Sequence, residues 1–295
     1  MFQHTIQVIA GIPGARNVPG DIICFGSNQA GRDRTLDATL HRLHSSGLTV
    51  NKQKCEFNKD EIEFFGFIFS AAGLRPDSKK VHALHDAPRP QNVSEMRSFL
   101  GMVQYGARFI DNFATITAPP HALTKQASEW HWTKEQEDAL EHVKDELSEN
   151  TTLAYFDPKK HTEIHVDASP VGIAGIFSQN GRMVAYASRS LTSVEQRYSQ
   201  TEREALAVVW SCEHFNIYVS SAPFTVVTDH RPLITTWDKP SLPTRIARLT
   251  LRLQPYAITM RYKLGKDNPA DFMSPDIRQT KTLFLVNKKR WQYSM

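Results

Sequence analysis

Four acidic residues, Asp167, Glu204, Asp229 and Asp271, stand where sheet-based sites draw their ligands, at the ends of strand-like runs or the starts of helix-like ones. Asp167 closes Ile164-His165-Val166 and is followed by the small residues Ala168-Ser169. Glu204 falls early in a run carrying Ala205, Leu206, Val208 and Val209 at helical spacing. Asp229 closes Val226-Val227-Thr228, and Asp271 follows the helix-start sequence Asn268-Pro269-Ala270. Carboxylate oxygens are hard ligands, so a convergent set can hold two Mg²⁺ (or Mn²⁺) ions. Two such ions about 3.5–4 Å apart stabilise both the attacking hydroxide and the leaving oxyanion of phosphodiester hydrolysis. Each residue alone also has a plain structural reading. Thr201-x-x-Glu204 fits a capping box, in which Glu204 merely satisfies helix-end amides. Asp229 fits a turn, Asp271 a helix-start acid favoured by the dipole, and Asp167 an ordinary strand end.

Only a fold that converges such distant positions makes the chemistry possible. In the second half of the chain, strands are expected at Thr162–Val166, Ile173–Ser178 and Met183–Ser188, the last two joined by the hairpin signal Asn180-Gly181. A helix from about Gln200 to Tyr218, a strand at Phe224–Thr228, a helical piece near Pro243–Leu253 and a strand at Ile258–Tyr262 follow. Three strands and then alternating helix and strand predict an α/β fold, a five-stranded mixed sheet flanked by helices. Upstream, the pattern is of α+β type. It has a strand at Asp21–Gly26, a helix from Arg32 to Leu48, and aromatic-rich paired strands at Cys55–Phe57 and Ile62–Phe69 with a turn at Ala71-Ala72-Gly73. Helical periodicity runs from Ser78 to Leu123, broken by Pro88, Pro90, Pro119 and Pro120, and again from Thr133 to Leu147. Asp157-Pro158 then turns the chain into the sheet.

The 295 residues, 40% hydrophobic and 22% charged, suffice for about two globular domains. A net charge of +4 permits an anionic partner without identifying one. Three scattered cysteines, Cys24, Cys55 and Cys212, argue against a disulfide framework or a zinc cluster and for a reducing compartment. No start resembling a signal peptide and no run of about 18 apolar residues is present, so an intracellular chain without membrane contact is expected.

The succession VDAS, YSQTEREALAVVW, VVTDHRPL and NPADFMS closely resembles the ribonuclease H domain of gypsy-type long-terminal-repeat retrotransposon polyproteins. The resemblance extends upstream. KCEF and FFGFIFSAAGL resemble the end of a reverse transcriptase palm with its primer-gripping hairpin. VSEMRSFLGMVQYGARFI resembles the thumb, and WHWTKEQEDALEHVKDEL the connection. It implies a ribonuclease H-like fold preceded by a partial palm (1–77), a helical thumb (78–126) and a connection or tether (127–158). The nuclease would occupy 159–276 and a basic tail 277–295. It further implies that Asp167, Glu204, Asp229 and Asp271 are the metal-binding carboxylates of an endoribonuclease acting on RNA–DNA hybrids. Asp167 would be shared by two ions, with Glu204 and Asp229 on one and Asp271 on the other. Phe65, Gly66, Ser169, His230 and Arg231 would contact nucleic acid, with selection for RNA through its 2′-hydroxyls.

The departures are informative. The family's palm strand begins with two adjacent aspartates, but here Gly20 stands at the first position and only Asp21 remains, so no DNA synthesis is expected. Pro275 follows NPAD-x-x-S where arginine is usual, and Tyr262 to Asp267 contains no histidine of the kind implicated in product release. The tail carries Arg278, Lys281, Lys288, Lys289 and Arg290 with Trp291 and Tyr293. It suits phosphate tracking and base stacking, or more simply is sequence beyond the element. The rival reading of the whole is a catalytically dead transposon remnant that binds nucleic acid.

Overall fold

The expected switch between two-residue and 3.6-residue periodicity is realised over residues 8–18, 21–125, 129–148, 151–237, 241–263 and 283–287, which the computed structural model describes. The chain divides into two units, Met1–Asp77 with Pro275–Met295, and Ser78–Ser274.

In the first unit, β1 (Ala15–Val18) pairs antiparallel with β2 (Asp21–Phe25). Helix α1 (Gln29–Ser45) is capped by Asn28, whose side chain accepts from the Gly31 N–H. Ile22, Cys24, Leu43 and Leu48 share a small core. The strand β3 (Cys55–Lys59) does not pair with the aromatic run that follows it, contrary to the sequence expectation. Its partner is the last strand, β12 (Leu283–Asn287), which lies antiparallel between β2 and β3. Nor is Ile62–Phe69 one strand. It folds into β4 (Glu61–Phe64) and β5 (Phe67–Ser70) about a two-residue turn, with β6 (Leu74–Pro76) completing a three-stranded sheet. The turn is Phe65-Gly66, both residues at positive φ (53° and 80°), the backbone that matches the twist of a tight hairpin. An aromatic residue at the first turn position, where Asn, Asp or Gly is usual, hid this hairpin from sequence reading.

The second unit opens with helices α2 (Ser78–His85), α3 (Val93–Gln104), α4 (Phe113–Ile116), α5 (Ala118–Ala122) and α6 (Lys134–Ser148). The Lys144 ammonium donates to the carbonyls of His85 (3.0 Å) and Ala87 (2.8 Å), tying α6 to the end of α2. The five-stranded sheet follows, with β7 (Thr162–Ala168), β8 (Gly172–Gln179), β9 (Arg182–Ser190), β10 (Phe224–Thr228) and β11 (Ile258–Tyr262) in the order β11-β10-β7-β8-β9. The β7-β8-β9 meander is antiparallel, while β10 runs parallel to both β7 and β11, so the sheet is mixed as expected. Asn180-Gly181, at φ 51° and 73°, makes the anticipated turn between β8 and β9.

Helix α7 (Gln200–His214) packs Ala205, Val208, Val209 and Cys212 against Ile164, Val166, Phe177 and Val226 of the sheet. Each large side chain withdrawn from water in this way stabilises the fold by roughly 1.5–3 kcal/mol. The approach is close: a Cβ on Gly175 would stand 2.3 Å from Ser211 Oγ. The helix stops before the expected Tyr218. Phe215 turns inward at 2% exposure, and a separate turn, α8 (Asn216–Val219), follows. Helices α9 (Arg231–Trp237) and α10 (Thr244–Leu251) complete the unit, α10 burying Ile246 and Leu249 and held to α7 by the Arg245–Glu202 ion pair at 2.7 Å. Among the described residues no helix is long and apolar enough to cross a membrane.

Candidate metal centre

Strand register builds the site. In the parallel pair β7–β10, Val166 lies opposite Thr228, so the next residues, Asp167 and Asp229, emerge side by side at the carboxyl ends of adjacent strands. Glu204 reaches the same point from the second turn of α7. The helix start is fixed by a capping box, formed by Ser199 and Glu202: the Ser199 hydroxyl accepts from the Glu202 N–H, and the Glu202 carboxylate accepts from the Ser199 N–H. The Thr201-x-x-Glu204 box is therefore not the one used, and Glu204 is released from any capping role. One ligand oxygen from each of Asp167, Glu204 and Asp229 lies within 4.8 Å of the other two.

Burial and mutual charge disfavour the fully ionised form of this cluster. Glu204 is 2% exposed, whereas Asp167 and Asp229 open to solvent. Burial, with Asp167 and Asp229 adding their negative charge, pushes the Glu204 carboxyl up to about 8. Crowding by protein atoms raises the Asp167 carboxyl, and the Asp229 charge adds to this. Hydrogen bonds from the Ala168 backbone and the Asn112 side chain pull it back. One Glu204 oxygen, Oε1, accepts from Gln200 Nε2 at 2.8 Å, and the other, Oε2, is buried with no hydrogen-bond partner. A buried carboxylate oxygen without a donor, on a residue clustered with two further carboxylates, fits a hard divalent cation.

The fourth expected ligand, Asp271, and Gly20 lie outside the described residues. Asp21 begins β2 in the other unit. Phe65 and Gly66 form the β4–β5 turn, where Phe65 is 68% exposed. The Ser169 hydroxyl is engaged in its own turn, accepting from the Gly172 N–H at 2.8 Å and bonding the Thr115 hydroxyl at 2.9 Å. His230 Nε2 pairs with the Thr201 hydroxyl at 3.1 Å, linking the residue after Asp229 to the first turn of α7. The Arg231 guanidinium lies 6.0 Å from the centroid of the Tyr262 ring.

Two contributors escaped sequence reading. Gln200 touches Glu204, and its position four residues earlier on one helix face was the available signal. The other is the segment about α4. The Ala114 N–H donates to Ser188 Oγ at 2.9 Å and Thr115 meets Ser169, which brings Asn112, at φ 51°, to Asp167. Beside it, burial pushes the Asp111 carboxyl up to about 6, with Asp167 and Glu146 contributing. No local pattern marks a partnership across so many intervening residues.

The family model described as an RNase H-like domain found in reverse transcriptase matches residues 132–226, which includes Asp167 and Glu204 and ends just before Asp229. The Tf2-3 transposon polyprotein of Schizosaccharomyces pombe is 30% identical over 96% of this chain and 22% of its own length. The retrovirus-related Pol polyprotein from transposon 412 of Drosophila melanogaster is 33% identical over 84% of this chain and 20% of its own length. The chain thus spans about a fifth of the curated relatives it matches. A foamy viral protease–reverse transcriptase in complex with double-stranded DNA superposes with a TM-score of 0.73 at 21% identity, covering 94% of this chain and 58% of that one. A foamy viral protease–reverse transcriptase in complex with an RNA/DNA hybrid gives 0.73 at 22% identity, covering 93% and 38%. These two structures share the fold.

Proposed function

We propose, from the premise that this chain belongs to the Pol polyproteins of gypsy-type long-terminal-repeat retrotransposons and covers part of their reverse transcriptase–ribonuclease H region, that it is an endoribonuclease of RNA–DNA hybrids dependent on divalent metal. The observation that carries this reading is the convergence of Asp167, Glu204 and Asp229 within 4.8 Å, with one Glu204 oxygen buried and unpartnered. Asp167, Glu204 and Asp229, with Asp271 as fourth ligand, would hold two Mg²⁺ or Mn²⁺ ions. Bound there, such ions supply an activated hydroxide and stabilise the leaving oxyanion.

The chain's own residues orient that chemistry. Strand register sets Asp167 beside Asp229, and α7 carries Glu204 to the same cluster. Ser199 and Glu202 fix the start of that helix, and His230, bonded to Thr201, ties the Asp229 end of β10 to it. His230, Arg231 and the Ser169 turn border the carboxylates and are the proposed contacts to the hybrid backbone and its 2′-hydroxyls. Residues 1–77 are assigned to a partial palm whose exposed Phe65-Gly66 turn would meet a primer strand. Residues 78–126 are assigned to a thumb, 127–158 to a connection and 159–276 to the nuclease. Gly20 beside Asp21 removes a carboxylate from the polymerase metal site, so no DNA synthesis is expected.

The test is cleavage of a labelled RNA–DNA hybrid by the purified chain with Mg²⁺, beside Asp167→Asn and a single-stranded RNA control. Cleavage of the hybrid by the unmodified chain alone supports the assignment. A folded protein that binds hybrid but cuts nothing with Mg²⁺ or Mn²⁺ would overturn it in favour of a non-catalytic nucleic-acid-binding remnant.

A further inference from the structure

Gln200 stands between two of the carboxylate-bearing elements, and every hydrogen-bonding group of its side chain is used. Its Nε2 donates to Glu204 Oε1 at 2.8 Å and to the carbonyl of Ala168, the residue after Asp167, also at 2.8 Å. Its Oε1 accepts from Arg203 Nη2 at 2.6 Å, and Arg203 is itself anchored by donating from Nη1 to the carbonyls of Gln196 and Tyr198. The amide orientation follows from these partners. A guanidinium can only donate and a carbonyl only accept, so the oxygen must face Arg203 and the nitrogen must face Ala168 and Glu204. Turning the amide over would set nitrogen against guanidinium and oxygen against two acceptors.

The consequence falls on Glu204. One of its oxygens is occupied by the Gln200 amide, and the other, Oε2, is left buried and without a partner. The same amide that claims Oε1 also grips the end of β7, so it sets the carboxylate of α7 against the strand that carries Asp167. We infer that Gln200 is a positioning residue of the metal centre, a brace that withholds one Glu204 oxygen and presents the other as a single-oxygen ligand. This rests on the metal-dependent reading above and deepens it. Groups that orient metal ligands commonly alter metal affinity or activity by 10–100-fold when removed.

The experiment is a Mn²⁺ titration of the full chain, read from the electron paramagnetic resonance signal of free Mn²⁺. It compares the unmodified protein with Gln200→Met, which keeps the length but not the hydrogen bonds, and Gln200→Asn, which keeps the amide on a shorter stem. Thermal melting in chelator and hybrid cleavage against Mg²⁺ concentration run in parallel. The expected result is a rise of about 10-fold or more in the Mn²⁺ dissociation constant for both variants with melting little changed. A matching rise in the Mg²⁺ needed for half-maximal cleavage and substantial recovery at saturating Mg²⁺ are also expected. Should Gln200→Met fail to fold, Gln200→Asn carries the same comparison. Equal Mn²⁺ affinity in the unmodified protein and a folded variant overturns the inference, as does a lack of Mn²⁺ binding by the unmodified protein. If binding weakens in the variants but no form cuts hybrid, the brace stands and the nuclease reading fails.

Discussion

Asp167 and Asp229 crowd their charges beside the Glu204 carboxyl, which they help push up to about 8, so removing one charge should separate stability from activity. Asp167→Asn is expected to abolish hybrid cleavage while raising the melting temperature in chelator. Relief of even one like-charge contact of about 1 kcal/mol shifts a unit of this size by ~2–4 °C. Differential scanning calorimetry in chelator beside a cleavage assay checks both signs, and a variant that loses stability along with activity would count against the crowded-charge account. The metal-free protein should likewise gain stability on adding Mg²⁺, as any ligand of the folded state alone requires. At this scale the sequence was informative in type and silent on geometry. It marked Asp167, Glu204 and Asp229 as strand-end or helix-start acids. It could not choose between a cap and a ligand at Glu204, because two overlapping boxes fit the same stretch and only the Ser199–Glu202 bond decides which is used. Gln200 lay in view on the same helix face, but nothing in the sequence joins it to Ala168.

Elements hold the site through a few polar joints as well as through the core. Arg189 on β9 grips Glu195, in the turn before α7, with two hydrogen bonds of 2.8 and 2.9 Å. The Arg189 guanidinium holds the Glu195 carboxyl down at about 2, against a smaller upward push from burial and aided by the Thr192 N–H. Because the folded value lies below the ordinary 4.5, the joint's stabilisation is complete above pH 4.5 and is lost as pH falls from there towards about 2. Glu195→Gln should therefore cost on the order of 1–2 kcal/mol at neutral pH and little at pH 2. Urea melts of the two proteins at both pH values measure this, and an undiminished difference at pH 2 would refute it. A second joint is α4, which lays the buried Phe113 and Ala114 on β8 and β9 and bonds Ser188 and Ser169. A chain truncated to begin at Glu129 should bare this surface, bind the dye ANS and melt at a lower temperature than one beginning at Ser78. Equal melting temperatures would show that the docking contributes nothing. Sequence periodicity announced most of these elements, since a half-buried strand and an amphipathic helix each follow from local alternation. The α4 docking was illegible because Phe113 and Ala114 read equally well as packing within a helical bundle.

For the molecule as a whole, the least foreseeable feature is the closure of the first sheet by the far end of the chain. In the order β1-β2-β12-β3, the strands β2 and β3 do not touch. Each pairs with Leu283–Asn287, which lies between them. The tail's Leu283-Phe284-Leu285-Val286 reads as a strand from its residues, but a strand's partner is chosen by tertiary geometry, and loop-closure entropy rises only slowly with the intervening length. Removing residues 283–295 should leave facing rows of backbone N–H and C=O groups on β2 and β3 without their ladder, an arrangement proteins do not leave buried. Ile22, Ile23 and Cys24, each at most 4% exposed, would lose the cover that a continuous sheet provides. Hydrogen–deuterium exchange followed by mass spectrometry is the measurement. In the truncated chain, peptides covering Asp21–Phe25 and Cys55–Lys59 should exchange at least tenfold faster, as expected when a ladder opens locally. Peptides covering β7, β8 and α7 belong to the other unit and should keep their protection. Unchanged protection at β2 and β3 would mean that these strands are held without β12, and the sheet would then have to close by a different pairing.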